Sequence, residues 1–431
     1  MKDSNLKKTY EKYSEYKDSG AEWLGKIPNG WKAQKIVSVF DFPNEKVTEL
    51  NFEPLSVTYG GIKKQIETAA KVAEGSSRKL VKVGDIVINA RSDRKGAVGM
   101  SEYEGAVSLV YNILRKRNKE IDSKYFHYLF RSQIFSEEFY RWGRGIVDDL
   151  WTTRANEMKR ILIPVPQVEN QAKIVDFLDE KTSFIDQIIE KKKKLIELLK
   201  EKRTAIINQA VTKGLDPKAE LVDSGIDWIG KIPKGWKISR IKHLSKLLSG
   251  FAFASESYLD EGLPIIRITD VKPEINIDKL PKVPFSLKPI LSAYRTQKND
   301  NLIAMTGATI GKSCFISSDD EMYVNQRVSI VRSGKQFAKY IFNSINANGF
   351  KKYIDFLSNG GAQQNISNYD IGNFRIAISS YEKERDAIIE TLEKKMEQFS
   401  KTLERVEKSV DILGEFKSSL ISNVVTGKVK I

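Results

Sequence analysis

Thr306-Gly307-Ala308-Thr309-Ile310-Gly311-Lys312-Ser313 is a glycine-bracketed turn ending in Gly-Lys-Ser. A phosphate-binding loop needs four residues between its first glycine and the Gly-Lys pair, because that spacing sets how backbone amides cradle the phosphates. Gly307 and Gly311 enclose only three, so nucleotide binding is not expected. Metal chemistry needs clustered donors, yet His127 and His243 lie far apart and Cys314 is the single cysteine. An adenine methyltransferase needs a Pro-Pro-Tyr-type loop for the flipped base, and the chain has no Pro-Pro pair. A nuclease needs acids and a lysine at a sheet edge, whereas Glu190-Lys191-Lys192 and Glu393-Lys394-Lys395 fall in helical sequence and read as solvated faces. No nucleophile–base pair stands out, and a non-catalytic chain is expected. Gln363, Gln364 and Asn365 carry side chains able to read base edges, or form a polar loop.

The elements that must position such residues follow from composition and repetition. With 41% apolar and 29% charged residues, the 431-residue chain is expected to be globular and cytoplasmic, without export signal or spanning helix. Its 71 Lys+Arg against 56 Asp+Glu leave a net charge of +15, which favours a polyanionic partner, nucleic acid first. Asp18-Ser19-Gly20-Ala21-Glu22-Trp23-Leu24-Gly25-Lys26-Ile27-Pro28-Asn29-Gly30-Trp31-Lys32 recurs from Asp223 to Lys237, identical at eleven of fifteen positions and 205 residues on. Fainter echoes follow: Gly84–Ile88 with Asn299–Ile303, Gly96–Gly99 with Ala308–Gly311, Val110–Arg115 with Arg327–Arg332, and Lys124–Phe126 with Lys339–Ile341. Near the ends, Arg203–Thr212 matches Lys417–Thr426. The chain is one unit used twice, and charge agrees: 40 basic against 32 acidic residues up to position 220, 31 against 24 beyond it.

Each unit has two parts. Residues 20–165 and 225–378 carry short β-branched and aromatic runs broken by turn residues, with helical patches such as Tyr125 to Phe139. Glu169–Thr212 and Glu382–Val425 then run 44 residues each without a proline, enough for helices of about 66 Å. In the second, Ile389, Leu392, Met396, Phe399, Leu403, Val406, Val410, Leu413, Lys417, Leu420 and Val424 alternate steps of three and four. The first repeats the stripe as Val175, Leu178, Thr182, Ile185, Ile189, Lys192, Ile196, Leu199, Arg203, Ile206 and Ala210. This is a coiled-coil seam with a cation, Arg203 or Lys417, at the same position in both copies. Such a charge fixes register when paired, or lies along the seam with its head in water. The expected fold is α+β, two homologous α/β domains joined by two long antiparallel coiled-coil helices with pseudo-twofold symmetry.

The chain resembles the specificity subunit of a type I restriction-modification system. The resemblance rests on the repeated Trp-(Leu/Ile)-Gly-Lys-Ile-Pro-x-Gly-Trp-Lys motif and on Ser249-Gly250-Phe251-Ala252-Phe253 with Pro264-Ile265-Ile266-Arg267-Ile268. It rests also on Ile163-Pro164-Val165-Pro166-Gln167-Val168-Glu169-Asn170-Gln171 opening the central helix. The distal helix opens with Ser380-Tyr381-Glu382-Lys383-Glu384-Arg385-Asp386 and departs from that proline–glutamine signature. The resemblance implies an N-terminal segment (1–20), a first target-recognition domain (21–166), a central helix (167–215), a second recognition domain (216–378) and a distal helix (379–431). It implies that each recognition domain reads one half of a split site in double-stranded DNA, and that the helices set the spacing and dock two modification subunits. S-adenosylmethionine would then sit on those subunits, ATP and Mg on restriction subunits, and no cofactor on this chain. The alternative is a non-catalytic two-headed scaffold on a coiled coil, binding RNA or another ligand.

DNA-contacting loop candidates in the first domain are Tyr59, Arg78, Lys79, Arg91, Asp93, Arg94, Lys95 and Arg144. In the second they are Ser249, Phe251, Arg267, Thr306, Lys312, Arg327, Gln363, Gln364 and Asn365. Trp23, Trp31, Trp228 and Trp236 recur in both halves, so they cannot encode different half-sites and are expected as core or helix anchors.

Overall fold

The computed structural model describes residues 10–48, 51–65, 77–145, 151–253, 258–273, 275–357 and 365–431. They form two compact units, Met1–Lys193 with Lys408–Ile431 and Lys194–Glu407. The same parts recur in the same order in each.

In the first unit, a four-stranded antiparallel sheet runs in the order Val98–Met100, Ile86–Asn89, Tyr111–Lys116, Phe40–Asp41. Ile86, Ile88, Val98 and Leu114 from this sheet share a core with Phe126, Phe130, Phe135 and Phe139 of two helices. In the second unit the order is Ser245–Ser249, Val328–Ser333, Asn301–Ala304, Ser313–Phe315. The register repeats, with Asn89 opposite Tyr111 and Ala304 opposite Val328. The secondary sheets differ. Gly105–Val107, Ser77–Val81 and Lys46–Thr48 are antiparallel, whereas Leu263–Ile266 pairs in parallel with Tyr323–Val324.

One buried device appears twice. The chain turns at Gly84 (φ +85°) and Asn299 (φ +74°), left-handed conformations open to glycine and tolerated by asparagine. The following aspartates accept a backbone N–H three residues back, Lys82 N to Asp85 Oδ2 at 2.9 Å and Gln297 N to Asp300 Oδ2 at 2.7 Å. Each is also gripped bidentately, Asp85 by Arg115 (2.8 and 2.6 Å) and Asp300 by Arg332 (2.9 and 2.7 Å).

The helical patch expected from Tyr125 to Phe139 is two helices, Ser123–Arg131 and Gln133–Arg141. Ser132 separates them: its backbone is extended and its hydroxyl caps the second helix through Phe135 N. The long helices run Val168–Lys213 and Glu382–Val425. Every seam residue is buried or half-buried, including Ile185, Ile189, Ile196, Leu199, Phe399, Leu403, Val410 and Leu413. In the second unit Lys200 meets Glu407 and Arg203 meets Met396, so partner numbers fall as helix numbers rise and the two segments are antiparallel.

The tandem tryptophans are anchors. The indoles of Trp23 and Trp228 donate to Leu162 O (3.2 Å) and Arg375 O (3.4 Å), on the strands Leu162–Val165 and Arg375–Ile378 that lead into the helices. Trp31 lies in the first core, and the Trp236 indole donates to Glu384.

Candidate nucleic-acid interface

In both units the inner strand of the four-stranded sheet ends in a 3-10 turn, and most candidate residues collect there. In the first, Ile86–Asn89 leads into the turn Ser92–Arg94. The buried Tyr140 hydroxyl donates to Asn89 O (3.2 Å) and Arg94 O (3.3 Å), and burial holds this phenol well above its ordinary pKa. Thr153 N donates to Ala90 O at 3.0 Å. Thr152 bridges to Arg91 on one side and exchanges two backbone hydrogen bonds with Arg144 on the other. Asp93 lies between two guanidinia, 3.1 Å from Arg91 Nε and 3.9 Å from Arg94 Nε. The ammonium of Lys95 lies 5.8 Å from the centroid of the Tyr140 ring. Burial raises the Tyr111 hydroxyl above its usual pKa, opposed by Arg94, Arg91 and Arg78 nearby.

Tyr59 is 58% exposed on the hairpin Leu55–Thr58/Gly61–Lys64, and its carbonyl accepts from Arg131 Nη2 at 2.5 Å. Arg78 and Lys79, expected on loops, lie instead on the strand Ser77–Val81. Arg78 is buried there, and Lys79 donates to Tyr111 O (2.9 Å) while burial lowers its pKa. Their side chains are committed by sheet register.

In the second unit, Asn301–Ala304 leads into the turn Gly307–Thr309. Here Thr306 bridges Asn365 as Arg91 bridges Thr152, and Ile366 N donates to Met305 O at 2.9 Å. Arg327 Nη1 donates to Thr306 Oγ1 at 3.3 Å. Phe251 bridges Asn325 and packs edge-on against Tyr294, with centroids 5.4 Å apart. Ser249 Oγ accepts from Asn368 Nδ2 at 2.8 Å. Lys312 is exposed where the turn returns to the sheet. Arg267, on the other hand, is tied to Asp270 at 2.9 Å, which raises its pKa and closes the turn Ile268–Asp270. It serves the local fold. Gln363 and Gln364 lie outside the described residues. Lys312 and Ser313 lead into a strand, whereas a phosphate-binding loop opens a helix.

The two turns are equivalent in position and different in chemistry. One displays Arg91, Asp93, Arg94 and Lys95; the other displays Thr306, Gly307, Ala308 and Thr309. Sequence reasoning missed the supports, Thr152, Tyr140 and Arg131, because each meets its turn or hairpin from a distant segment. A different pair was signalled by the repeat of Lys124–Phe126. Tyr125 donates from inside its core to the helix-end carbonyl of Val425 (2.8 Å), and Tyr340 donates to Ala377 O (3.0 Å) on the strand before the distal helix, with Val211 O of the central helix farther off at 3.4 Å.

The isolated histidine and cysteine noted in the sequence are held by packing. The His127 Nδ1 accepts from Met100 N at 3.1 Å, and burial pulls its pKa down to about 4. Burial pushes the Cys314 thiol up to about 12. Among the described residues, no group of three or more His, Cys, Asp or Glu is arranged to hold a metal, and no helix is long and apolar enough to cross a membrane.

Known proteins share this organisation. The profile of the type I restriction modification DNA specificity domain matches residues 28–198 and 233–409. The type I restriction enzyme MjaVIII specificity subunit of Methanocaldococcus jannaschii is 22% identical over 371 residues, covering 82% of this chain and 80% of that protein. The EcoKI specificity subunit of Escherichia coli K12 is 26% identical over 211 residues, covering 46% of this chain and 44% of that protein. A chain solved in a study of type I R-M complex assembly and conformational transition shares the fold, with a TM-score of 0.70, 15% identity, and coverage of 93% of this chain and 98% of that one. The HsdS subunit from Thermoanaerobacter tengcongensis aligns with a TM-score of 0.50 at 16% identity, over 94% and 98% of the two chains. With two matched regions spanning most of its length, the chain belongs to the type I restriction-modification DNA specificity family.

Proposed function

We propose that this chain is the non-catalytic DNA-specificity subunit of a type I restriction-modification complex in the cytoplasm, each unit reading one half of a bipartite site. The observation that carries the reading is the pair of equivalent turns, built on one scaffold and bearing different side chains. Equivalent scaffolds place the turns alike, and differing side chains make the two half-sites differ. Exposed cations such as Arg144 and Lys312 supply salt-dependent phosphate affinity, while turn side chains read base edges.

The long helices support docking of partner subunits. Outside the seam, Phe184 and Leu198 on the central helix and Ile412 on the distal one are 60%, 49% and 54% exposed. Such apolar side chains on a helix face suit packing against another helix. In this reading two modification subunits dock there and bring S-adenosylmethionine, and restriction subunits bring ATP and Mg. At the central helix, the buried Gln171 accepts from Asp122 N (2.9 Å) and donates to Pro166 O (2.9 Å) and Glu120 O (3.1 Å). Arg385 of the distal helix instead donates to Ser379 O at 2.9 Å and stacks over Phe337.

Methylome sequencing of a host with and without the gene tests the proposal. A split, asymmetric adenine-methylated motif should appear only with the gene; an unsplit motif, or none, contradicts it.

A further inference from the structure

We propose that Arg91 and Arg94 are the guanine-reading residues of the first unit, and that Asp93 directs them to bases rather than to phosphates. This deepens, and rests on, the reading of the chain as a DNA-specificity subunit. The side chains of Arg91 and Arg94 are 50% and 63% exposed, and among the described residues Asp93 is their only ion-pair partner. In each guanidinium the nitrogen nearest Asp93 is Nε. Among the described residues no carboxylate pairs with the outer edge, Nη1 and Nη2, which has the bidentate geometry that matches guanine O6 and N7.

The carboxylate decides between the two acceptors DNA offers. A phosphate drawn to either arginine is repelled by Asp93 next to it, whereas the neutral edge of guanine is not. Asp93 can also accept from the N4 amino group of a cytosine. Arg144, across Thr152, has no acidic partner among the described residues and suits a phosphate. Tyr140, Thr152 and Thr153 fix the turn backbone, which limits the freedom of the two arginines to their side-chain torsions. The equivalent turn of the second unit, Thr306 to Thr309, carries no charged side chain of its own, and the Arg327 that reaches Thr306 has no acid beside it on that turn, so the paired-arginine chemistry belongs to one half-site.

The test is a binding selection from random duplexes, using the full chain assembled with its modification subunits, as wild type and as R91K, R94K and D93N. Lysine keeps the charge and loses the fork. The wild type should select a split motif with guanine in the first half-site. Each lysine variant should lose guanine preference at one position, on the order of 10-fold or more, with the salt slope and second half-site unchanged. D93N should bind unrelated duplex more tightly and with steeper salt dependence. If either lysine variant keeps the complete wild-type half-site, or 7-deazaguanine in that half-site binds as well as guanine, the assignment is overturned and the specificity reading stands. A wild type that selects no split motif overturns both.

Discussion

Lys417 on the distal helix holds both carboxylate oxygens of Asp186 on the central helix at 2.6 Å. The cation expected to fix register at the seam is therefore paired in this unit. The duplication places Arg203 in the role of Lys417 and Ser400 in the role of Asp186. Arg203 lies along the seam, donating through Nε to the sulfur of Met396 at 3.4 Å, and has no carboxylate partner among the described residues. One copy of the seam carries a lock that the other lacks.

Ser400→Asp should supply the missing partner. Such a half-exposed pair is worth about 0.2–1 kcal/mol, so urea unfolding should show a small stabilisation that fades at high salt. Asp186→Ser should lose a similar amount.

The duplicated buried ion pairs are worth more. Asp85→Ala strands Arg115 at a site where the acid is 3% exposed, and Asp300→Ala does the same to Arg332 at 1%. Each should cost about 3 kcal/mol, the lower end for a broken buried pair because the arginines retain some water. Denaturant midpoints of the two variants check this.

His127 makes the first unit acid-sensitive. Its folded pKa of about 4 lies below the ordinary 6.5, so the unfolded chain binds the extra proton in between. Stability is complete above pH 6.5 and falls toward pH 4, by on the order of 2–3 kcal/mol. His127→Gln should remove that slope from a pH series of melting temperatures.

Tyr125→Phe and Tyr340→Phe each delete a buried hydroxyl bonded to a backbone carbonyl, of the distal helix end in the first case and chiefly of the strand Arg375–Ile378 in the second. A loss of about 1–2 kcal/mol is expected from each. Hydrogen exchange should show fraying at the helix end around Val425 in the first variant and faster exchange along the strand Arg375–Ile378 in the second.

Arg144→Ala should weaken DNA binding uniformly across sequences and reduce the salt slope by about one. The selected motif should not change. Arg327→Ala, beside Thr306, should instead relax the second half-site only.

Much of this architecture was legible in sequence. The repeated tryptophans, Gly-Lys-Ile-Pro and the heptad stripe persist in both halves because they build cores and a seam, where a changed residue disturbs packing. The candidate interface was only half legible. Arg91 and Arg94 could be picked out as basic residues near turn signals, and they do lie on a turn. Arg78 and Lys79 look the same in sequence but belong to a strand, since side-chain direction there follows pairing with Val47 and Lys46. Thr152 meets Arg91 from sixty residues away, and no local pattern announces such a contact. The helical patch from Tyr125 to Phe139 is legible as helical, but its division at Ser132 is not, since apolar periodicity runs through that position and its cap role is visible only in the backbone.

The central claim is that each unit carries its own half of the specificity. Replacing residues 225–378 with the corresponding segment of another family member, and selecting bound duplexes with the assembled complex, tests it directly. One half-site should change completely, with the other half-site and the spacer unchanged. A change in both half-sites, or in neither, would contradict the account.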